Sequence, residues 1–372
     1  MAKNSKLMNI SAEHSSFRVA LVGMYPPPIG GVSIHLKRLK HVLDHYGIDS
    51  IVFDISGEQH DAKAPNVISV RNFKVWLIEQ LFYSQEDIIH YHGSNWNHRC
   101  ALILFKLRSK KVIFTFHSLR ENIEAFHPFK RWIIKQLVFR FADHFIAPGP
   151  EVKASLTTAG VSAQKVTVIP TFIPPEIDQK DYDATPDYIW NFMEHHQPIV
   201  SANAYRLSFH QMQDLYGLDM CIDLVDGLKS TYPNVGLIFC LPDIGEEEYF
   251  REIQLKVRKL QLDKNILFVH EKIELYPILE RSDLFVRPTN TDSYGVSVAE
   301  SIHLNTPVLA SNVCQRPKGT VLFTARDTDM FIESSKEILH NLNNYKKRVQ
   351  LVAIEDFSNQ IRDIYEMLLS TQ

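Results

Sequence analysis

Short apolar runs alternate with segments of helical length along almost the whole chain. Residues 17–22, 87–91, 111–116 and 283–286 are such runs. Parallel strands need a crossover between them, usually a helix, and buried parallel strands read as continuous apolar runs. The alternation therefore predicts an α/β fold built on doubly wound parallel sheets.

The alternation breaks once, between residues 170 and 197, where prolines and acidic residues replace it. A chain of 372 residues is also too long for one ordinary core. We therefore predict two Rossmann-like domains, 1–175 and 198–345, joined by a linker at 176–197 and followed by a C-terminal helix within 346–372. Ligands of such sheets bind at the carboxyl ends of the strands, so the cleft between the domains is the expected site.

Charge and cysteine usage exclude several classes of protein. A net charge of -3 argues against a general polyanion binder, so we expect no nucleic-acid partner. The four cysteines are scattered without a CxxC pair, which argues against a disulfide framework or a zinc site. Residues 1–17 are polar and resemble no secretion signal, and no apolar run approaches the ~20 residues that span a bilayer. We expect a cytoplasmic protein, either soluble or peripheral on the inner face of the plasma membrane.

The most informative short stretch is TDSYGVSVAES, residues 291–301, which follows an apolar strand and leads into a helix. Asp292 and Glu300 flank its seven middle residues, and Gly295 stands where the helix begins. The first N–H groups of a helix favour an anion, a glycine lets a ligand approach the backbone, and carboxylates accept from sugar hydroxyls. A nucleotide sugar would use all three features. The alternative is a capping Asp and a solvated helix Glu.

The surrounding segment, 283–311, resembles the D/E-x7-E segment of retaining glycosyltransferases of family GT4, which have the GT-B fold. This chain reads RPTNTDSYGVSVAESIHLNTPVLAS there, and the resemblance in layout covers essentially the whole chain. It implies two Rossmann-like domains that face each other across a cleft. The N-terminal domain would be the acceptor side, the C-terminal domain the nucleotide-sugar donor side, and the final helix would cross back onto the first domain.

The resemblance also assigns roles to the two acids and to two glycines. Glu300 would hold the ribose hydroxyls of the nucleotide, and Asp292, in place of the usual Glu, would lie close to the donor sugar. The backbone of 293–296 would contact sugar hydroxyls and diphosphate oxygens. Gly30 and Gly31, in the turn after the first strand, would face the donor diphosphate.

A fixed cation would lower the barrier as negative charge builds on the departing diphosphate. The family supplies an Arg and the Lys of a KG pair after the first strand of the second domain. Here Arg206 matches the Arg, but Tyr216 stands at the Lys position and carries no charge at pH 7. Arg316 or Lys318 could supply charge instead, although both also read as ordinary surface residues.

Three histidines follow or end strands of the first domain. His117 matches a family histidine on the acceptor side of the cleft, although a lone His is more often structural. His90 and His92 have H-x-H spacing without a nearby third ligand, so we expect them to line the cleft or pack, and we expect no metal site. The predicted catalytic residues are His117, Arg206 and Asp292, and the predicted donor-binding residues are Gly30, Gly31, Arg206, Tyr216, Asp292, Ser293, Tyr294, Gly295, Val296, Glu300 and Arg316.

The segment 106–140 is rich in Lys and Arg, and a predicted helix at 128–142 adds an apolar stripe. One interpretation is a helix that packs on its own sheet and solvates its basic face. The other is docking to an anionic membrane surface, which would bring the site to a lipid-linked acceptor.

The leading hypothesis is a metal-independent retaining glycosyltransferase. It would move a hexose or N-acetylhexosamine from a nucleoside diphosphate sugar, with UDP favoured over GDP, to a glycan acceptor. The acceptor would be linked to polyprenyl diphosphate, in the biosynthesis of a bacterial surface polysaccharide such as lipopolysaccharide or capsule. No cofactor is expected beyond the nucleotide-sugar substrate. Two alternatives stay open: a catalytically silent sugar-nucleotide-binding scaffold, and a GT-B sugar-nucleotide epimerase.

Overall fold

The computed structural model describes residues 17–57, 65–117, 123, 126–352 and 356–370. Residues 1–16, which carry the expectation about a secretion signal, lie outside the described residues. So do Arg120, Glu121 and Glu124 of the basic segment.

The first domain is built on a seven-stranded sheet with the order β3-β2-β1-β4-β5-β6-β7, and every neighbouring pair is parallel. Its strands are β1 (Arg18–Gly23), β2 (Asp49–Asp54), β3 (Val67–Ser69), β4 (Ile88–Tyr91), β5 (Lys111–Thr115), β6 (His144–Ala147) and β7 (Val166–Val168). Its helices are α1 (Gly31–His45), α2 (Phe73–Tyr83), α3 (Trp96–Leu102), α4 (Pro128–Ile134) and α5 (Pro150–Ala159). A 3₁₀ segment, Ile103–Arg108, continues α3, and a π-helical segment, Lys135–Phe139, continues α4.

The second domain is built on a six-stranded parallel sheet with the order β12-β11-β8-β13-β14-β15. The remaining strands are β8 (Ile199–Asn203), β9 (Phe209–His210), β10 (Gln213–Asp214), β11 (Gly236–Cys240), β12 (Ile266–Val269), β13 (Leu284–Arg287), β14 (Val308–Ser311) and β15 (Val321–Phe323). The remaining helices are α6 (Gln179–Asp183), α7 (Asp187–His195), α8 (Leu218–Lys229), α9 (Glu247–Lys259), α10 (Tyr276–Glu280), α11 (Val296–His303), α12 (Thr328–His340), α13 (Leu342–Gln350) and α14 (Ser358–Ser370). Two doubly wound parallel sheets confirm the predicted fold class.

Burial on both faces explains why the strands read as continuous apolar runs. In β1, Val19 and Leu21 point into one core cluster, whereas Ala20 and Val22 point into another on the opposite face of the sheet. Successive side chains of a strand point to opposite faces, so helices on both sides require an apolar residue at every position.

The segment predicted as a linker, 176–197, contains the helices α6 and α7. Ile189 of α7 is fully buried and packs with Ile199 and Ile238 of the second sheet. This helix is therefore part of the packing of the second domain and not an extended connection. Its apolar side chains follow helical spacing, but the neighbouring prolines and acids obscured that pattern.

The C-terminal segment, predicted as a helix within 346–372, contains the end of α13 and, as a separate helix, α14. Helix α14 packs on the first domain, where Ile361, Ile364 and Tyr365 join the cluster that contains Val19 and Leu21. None of the helices described in this structure is long and apolar enough to cross a membrane.

Candidate functional site

A cleft of about 370 Å³ lies between the two domains, at the carboxyl ends of both sheets. Gly30, Gly31 and His117 line it from the first domain, and the segment from Thr291 to Val296, apart from Tyr294, lines it from the second. The sequence-predicted residues that line it are Gly30, Gly31, His117, Tyr216, Asp292, Ser293, Gly295, Val296 and Glu300. The predicted residues Arg206, Tyr294 and Arg316 are not part of the lining.

The loop from β13 to α11 is shaped by Gly295, which immediately precedes α11. Its φ of +86° lies in the left-handed region, which disfavours residues with a Cβ. A Cβ at this position would also lie only 2.6 Å from Nη1 of Arg316. The predicted reason for this glycine was the approach of a ligand, but the structure adds a second reason, because Arg316 passes directly behind it.

Asp292 is held between two arginines of its own domain. Its carboxylate accepts from Nη1 of Arg316 at 2.8 Å, from Nε of Arg287 at 3.2 Å and from the backbone N–H of Ser293 at 2.9 Å. Burial opposes the charged form, but Arg287 and then Arg316 outweigh it and lower the pKa of Asp292 to about 2. Asp292 is therefore a fixed, ionised acceptor on the wall of the cleft.

Arg316 holds the Asp292 carboxylate from the buried side of the cleft wall and is not exposed. Its side chain is only 1% exposed and donates to the carbonyl of Ser311 at 3.0 Å and to Oγ1 of Thr289 at 2.9 Å. In this structure Arg316 is buried behind the cleft wall and is not part of the lining, so its contact with a donor stays a prediction. Lys318, the other predicted alternative, is exposed and does not line the cleft.

The predicted cation Arg206 also lies outside the cleft lining. Its side chain is 60% exposed and pairs with Asp243 at 3.2 Å. A different arginine, Arg287 at the end of β13, does line the cleft. Sequence reasoning missed Arg287, although a charged residue that ends a buried apolar strand was a usable signal.

Tyr216, at the position of the family Lys, supports Arg287. Its ring lies 5.3 Å from the Arg287 guanidinium, close enough for a cation–π interaction. Nη1 of Arg287 also donates to the backbone and side-chain oxygens of Asn203, at 3.0 and 3.1 Å. Tyr216 therefore brings no charge of its own but helps to hold one in the cleft.

Glu300 faces the first domain and bonds to it. Nη2 of Arg38, on α1, donates to Oε1 of Glu300 at 2.5 Å and to Oε2 of Glu274 at 3.3 Å. Lys37 donates to Oε1 of Glu274 at 2.8 Å. We call Lys37, Arg38, Glu274 and Glu300 the interdomain ion cluster. Sequence reasoning missed the first three, because only the packing of one domain against the other brings them together.

Burial dominates the charge state of Glu300, which is 5% exposed. It raises the pKa of Glu300 above the ordinary value, and the charge and hydrogen bond of Arg38 offset that rise only in part. The two predicted acids thus have opposite shifts, although one segment carries both.

Four histidines of the first domain form a buried group beneath the cleft: His35, His90, His92 and His117. The ring centroids of His90 and His92 are 4.1 Å apart, and those of His35 and His117 are 5.2 Å apart. Burial lowers the pKa of all four, to about 4 for His35 and well below the ordinary value for the others. We call them the histidine cluster, and near neutral pH it is uncharged.

Within this cluster only His117 reaches the cleft lining besides packing, and its backbone carbonyl accepts from Oγ of Ser293 at 3.1 Å. His90 packs internally, with Nδ1 2.6 Å from the Tyr365 hydroxyl and Nε2 2.7 Å from Oγ1 of Thr115. Across the described part of the chain, no three His, Cys, Asp or Glu side chains are grouped so as to hold a metal ion. Metal independence stays a prediction.

Comparisons with known proteins agree with this architecture. The model of Glycosyltransferase Family 4 matches residues 29–177, and the model of Glycosyl transferases group 1 matches residues 195–351. A sequence comparison with curated proteins found no match.

Solved structures with the same fold align over nearly the whole chain. HepE from Anabaena, in complex with UDP and glucose, has a TM-score of 0.68 at 14% identity and covers 96% of this chain and 100% of its own. A glycosyltransferase from Rickettsia africae has a TM-score of 0.69 at 14% identity, with 96% and 100% coverage. WaaG, described as a glycosyltransferase involved in lipopolysaccharide biosynthesis, has a TM-score of 0.63 at 14% identity, with 93% and 99% coverage. At these identities the likeness establishes the fold.

The two family models meet the two domains in order and together match most of the chain. The paired parallel sheets, the cleft between them and the D-x7-E segment on its wall are the features of one enzyme family. The chain belongs to the group 1 glycosyltransferases of family 4, and its fold is GT-B.

Proposed function

We propose that this protein is a retaining glycosyltransferase that moves a hexose or N-acetylhexosamine from a UDP-sugar to a glycan acceptor. The observation that carries the proposal is the ionised Asp292, held by Arg287 and Arg316 beside the first turn of α11 and on the same cleft wall as Glu300. The solved structures of HepE with UDP, with UDP and glucose, and with UDP-glucose support a UDP-sugar as donor.

Each wall of the cleft has a chemical role in this proposal. Arg287 and the N–H groups at the start of α11 face the diphosphate and stabilise the charge that it gains as the glycosidic bond breaks. Glu300 accepts from the ribose hydroxyls, and Asp292 accepts from hydroxyls of the donor sugar. Since Arg206 is exposed and paired with Asp243, the role first predicted for it passes to Arg287.

The reaction follows from these positions. As the bond from the anomeric carbon to the diphosphate breaks and the sugar acquires oxocarbenium character, the acceptor oxygen bonds to that carbon from the same face and gives its proton to the departing diphosphate, so the anomeric configuration is retained. His117 lies on the opposite wall, where the acceptor enters. Closure of the domains excludes water and limits hydrolysis of the donor. The proposal includes neither a metal ion nor a further cofactor.

Turnover separates this proposal from its two alternatives. A transferase releases UDP faster when a lipid-linked glycan acceptor is added. A silent scaffold would bind the donor without release, and an epimerase would interconvert donor sugars without any acceptor. A melting-temperature screen with UDP, GDP, ADP and TDP comes first, because a bound ligand raises the apparent stability. We expect the largest rise with UDP, and no rise with any of the four would contradict a donor site.

We further propose that the acceptor is linked to polyprenyl diphosphate, in the assembly of a bacterial lipopolysaccharide or capsule. The protein would then work as a peripheral protein on the inner face of the plasma membrane. The outer face of the first domain supports this: Phe129 and Trp132 on α4 are 63% and 58% exposed, and their rings stack 6.1 Å apart. Lys130 and Arg131 lie between them in sequence. Aromatic side chains beside cations suit an anionic lipid interface.

Flotation with phosphatidylglycerol vesicles at low salt tests this surface. We expect the wild-type protein to float with the vesicles and the double variant Phe129→Ser/Trp132→Ser to lose most of that binding. Leu255→Ser is the matched control, because Leu255 is 62% exposed on α9 of the other domain. Failure of the wild-type protein to bind, or equal loss in the control, would contradict membrane docking without affecting the donor site.

A further inference from the structure

Two cations of α1 cross the cleft to carboxylates of the second domain. Arg38 reaches Glu300 at 2.5 Å and Glu274 at 3.3 Å, and its Nη1 donates to the carbonyl of Ile173 at 3.1 Å. Of these two carboxylates, Lys37 contacts Glu274 and not Glu300. Arg38 and both carboxylates line the cleft. The contact therefore joins the two domains inside the proposed donor site.

If this contact served only to hold the two domains together, its burial would make it an unfavourable choice. The side chains of Arg38, Glu274 and Glu300 are 8%, 7% and 6% exposed. Removing charges from water costs free energy that an ion pair often does not recover, and apolar side chains would join two surfaces at least as well. A buried charged contact within a ligand site suggests a role in holding a functional group.

The geometry leaves Glu300 able to accept hydrogen bonds from a ligand while it is bonded to Arg38. The bond to Arg38 uses Oε1, and a carboxylate can accept about four hydrogen bonds in all. Arg38 reaches Glu300 only when α1 lies against the second domain, that is, when the cleft is closed. An open cleft would leave Glu300 without this cation.

We infer that Arg38 is a positioning residue. On domain closure it orients Glu300 and favours its ionised form, so that a residue of the opposite domain completes the binding site for the nucleotide ribose. The inference rests on the proposed function and adds a residue to it. Nucleotide binding and closure are then coupled, because each favours the arrangement that the other requires.

The charge balance gives this inference a pH signature. Burial raises the pKa of Glu300, and Arg38 is the cation that opposes the rise. Other charged groups face the same spot: Glu274 raises the pKa of Glu300 further, Lys37 pairs with Glu274, and His303 lies close enough to Arg38 for its own pKa to be affected. Without Arg38, Glu300 would take up a proton at a higher pH and accept from ribose less well.

The experiment compares the binding of UDP and 2′-deoxy-UDP by calorimetry, from pH 5.5 to 8.5. In the wild-type protein we expect UDP to bind about tenfold or more tightly than its deoxy analogue, since a hydrogen bond to a charged group is worth about 1.5–3 kcal/mol. Arg38→Gln should lose most of that discrimination, and its remaining UDP affinity should fall as the pH is lowered. Lys37→Gln, the matched control, should keep the discrimination within about twofold, because Lys37 does not contact Glu300.

Arg38→Lys keeps the charge without the forked donor and should show an intermediate discrimination, which provides a readout if Arg38→Gln does not fold. Discrimination unchanged in every folded Arg38 variant would overturn the inference and leave the proposed function intact. A wild-type protein that binds UDP and 2′-deoxy-UDP equally would overturn the inference together with the ribose contact proposed for Glu300, and would leave the proposed glycosyl transfer intact. A wild-type protein that binds neither would overturn the proposed function and the inference with it.

Discussion

Both walls of the cleft contain buried polar side chains, but the buried histidines of the first domain are neutral and the side chains around Asp292 in the second domain are charged. The wall of the first domain rests on the histidine cluster, whose four members are kept neutral by burial. The wall of the second domain is ionic, with Asp292 charged between Arg287 and Arg316. The comparison teaches that burial favours the neutral form of a side chain where no opposite charge lies beside it, whereas the two arginines beside Asp292 reverse that outcome.

The difference fits the tasks proposed for the two walls. A fixed charge beside α11 suits the diphosphate and sugar of the donor, whose own charge does not change until the bond breaks. A neutral wall suits a glycan acceptor that carries hydroxyls. Glu300 belongs to the ionic wall by sequence but depends on the other domain for its partner, Arg38.

The largest loss of stability should come from removing the charge of Asp292, at the centre of the ionic wall. Asp292→Asn leaves Arg316, which is 1% exposed, without its counter-charge, and removing one partner of a buried ion pair costs about 3–5 kcal/mol. Glu300→Gln should cost less, about 1–3 kcal/mol, because Arg38 keeps Glu274. Urea unfolding of both variants measures the difference. Equal losses would mean that the two acids are held alike, against the comparison.

The histidine wall should weaken at low pH, where the ionic wall does not. Below its unfolded pKa of about 6.5, a histidine that stays neutral when folded binds a proton only in the unfolded state, so stability falls as the pH falls towards the folded pKa. For His35, with a folded pKa of about 4, the loss between pH 7 and pH 5 is about 2 kcal/mol. Asp292, with a pKa of about 2, stays charged throughout this range.

Glu300 titrates in the opposite sense, since its raised pKa lets the folded protein take up a proton, so the measurement is a difference between variants. Thermal unfolding from pH 7.5 to 5 should show a shallower loss for His35→Asn than for the wild-type protein. His41→Asn, on the same helix but 53% exposed, is the control for replacing a histidine of this helix. Equal slopes in all three proteins would mean that the buried histidines are not held neutral.

The assignment of the cleft cation is tested by two arginines in the same domain. Arg287→Gln should weaken UDP binding about tenfold to a hundredfold, because it removes a charged donor from the cleft. Arg206→Gln should change it by less than about twofold, since that side chain is exposed and paired elsewhere. Calorimetry with UDP gives both values. A larger loss for Arg206 would restore the role that its sequence position predicted.

The smallest effect should come from the ring that supports Arg287. Tyr216→Leu removes a cation–π contact worth about 0.5–1 kcal/mol, so UDP affinity should fall by about twofold to fivefold. Tyr216→Phe keeps the ring and is the control. If the Phe variant loses as much as the Leu variant, the hydroxyl, and not the ring, supports the site.

Some elements were predictable because their signal is local. The apolar runs that became β1 and β13 needed no tertiary information, and neither did the start of α11 after Gly295. The hairpin of β9 and β10 was not predicted. Its turn places Gln211 and Met212 at φ values of +50° and +62°, where Asn-Gly is the usual sequence, so no turn signal was present.

Within the site, the residues that share one short motif could be predicted, whereas a residue whose partner lies far away in the sequence could not. Asp292, Gly295 and Glu300 stand in one short motif, and the structure places all three on the cleft. Arg287 was within reach of the sequence, as the charged end of an apolar strand. Arg38 was not, because it lies 262 positions from Glu300 and has no motif of its own.

The sequence by itself determined the two parallel sheets, their order along the chain and the family, because hydrophobic periodicity and a short motif depend only on neighbouring residues. The tertiary structure alone decided which arginine faces the cleft, which acid is fully ionised and which residue of the other domain contacts Glu300. Those outcomes depend on burial and on distances between charges far apart in the chain, and both exist only after the domains have packed.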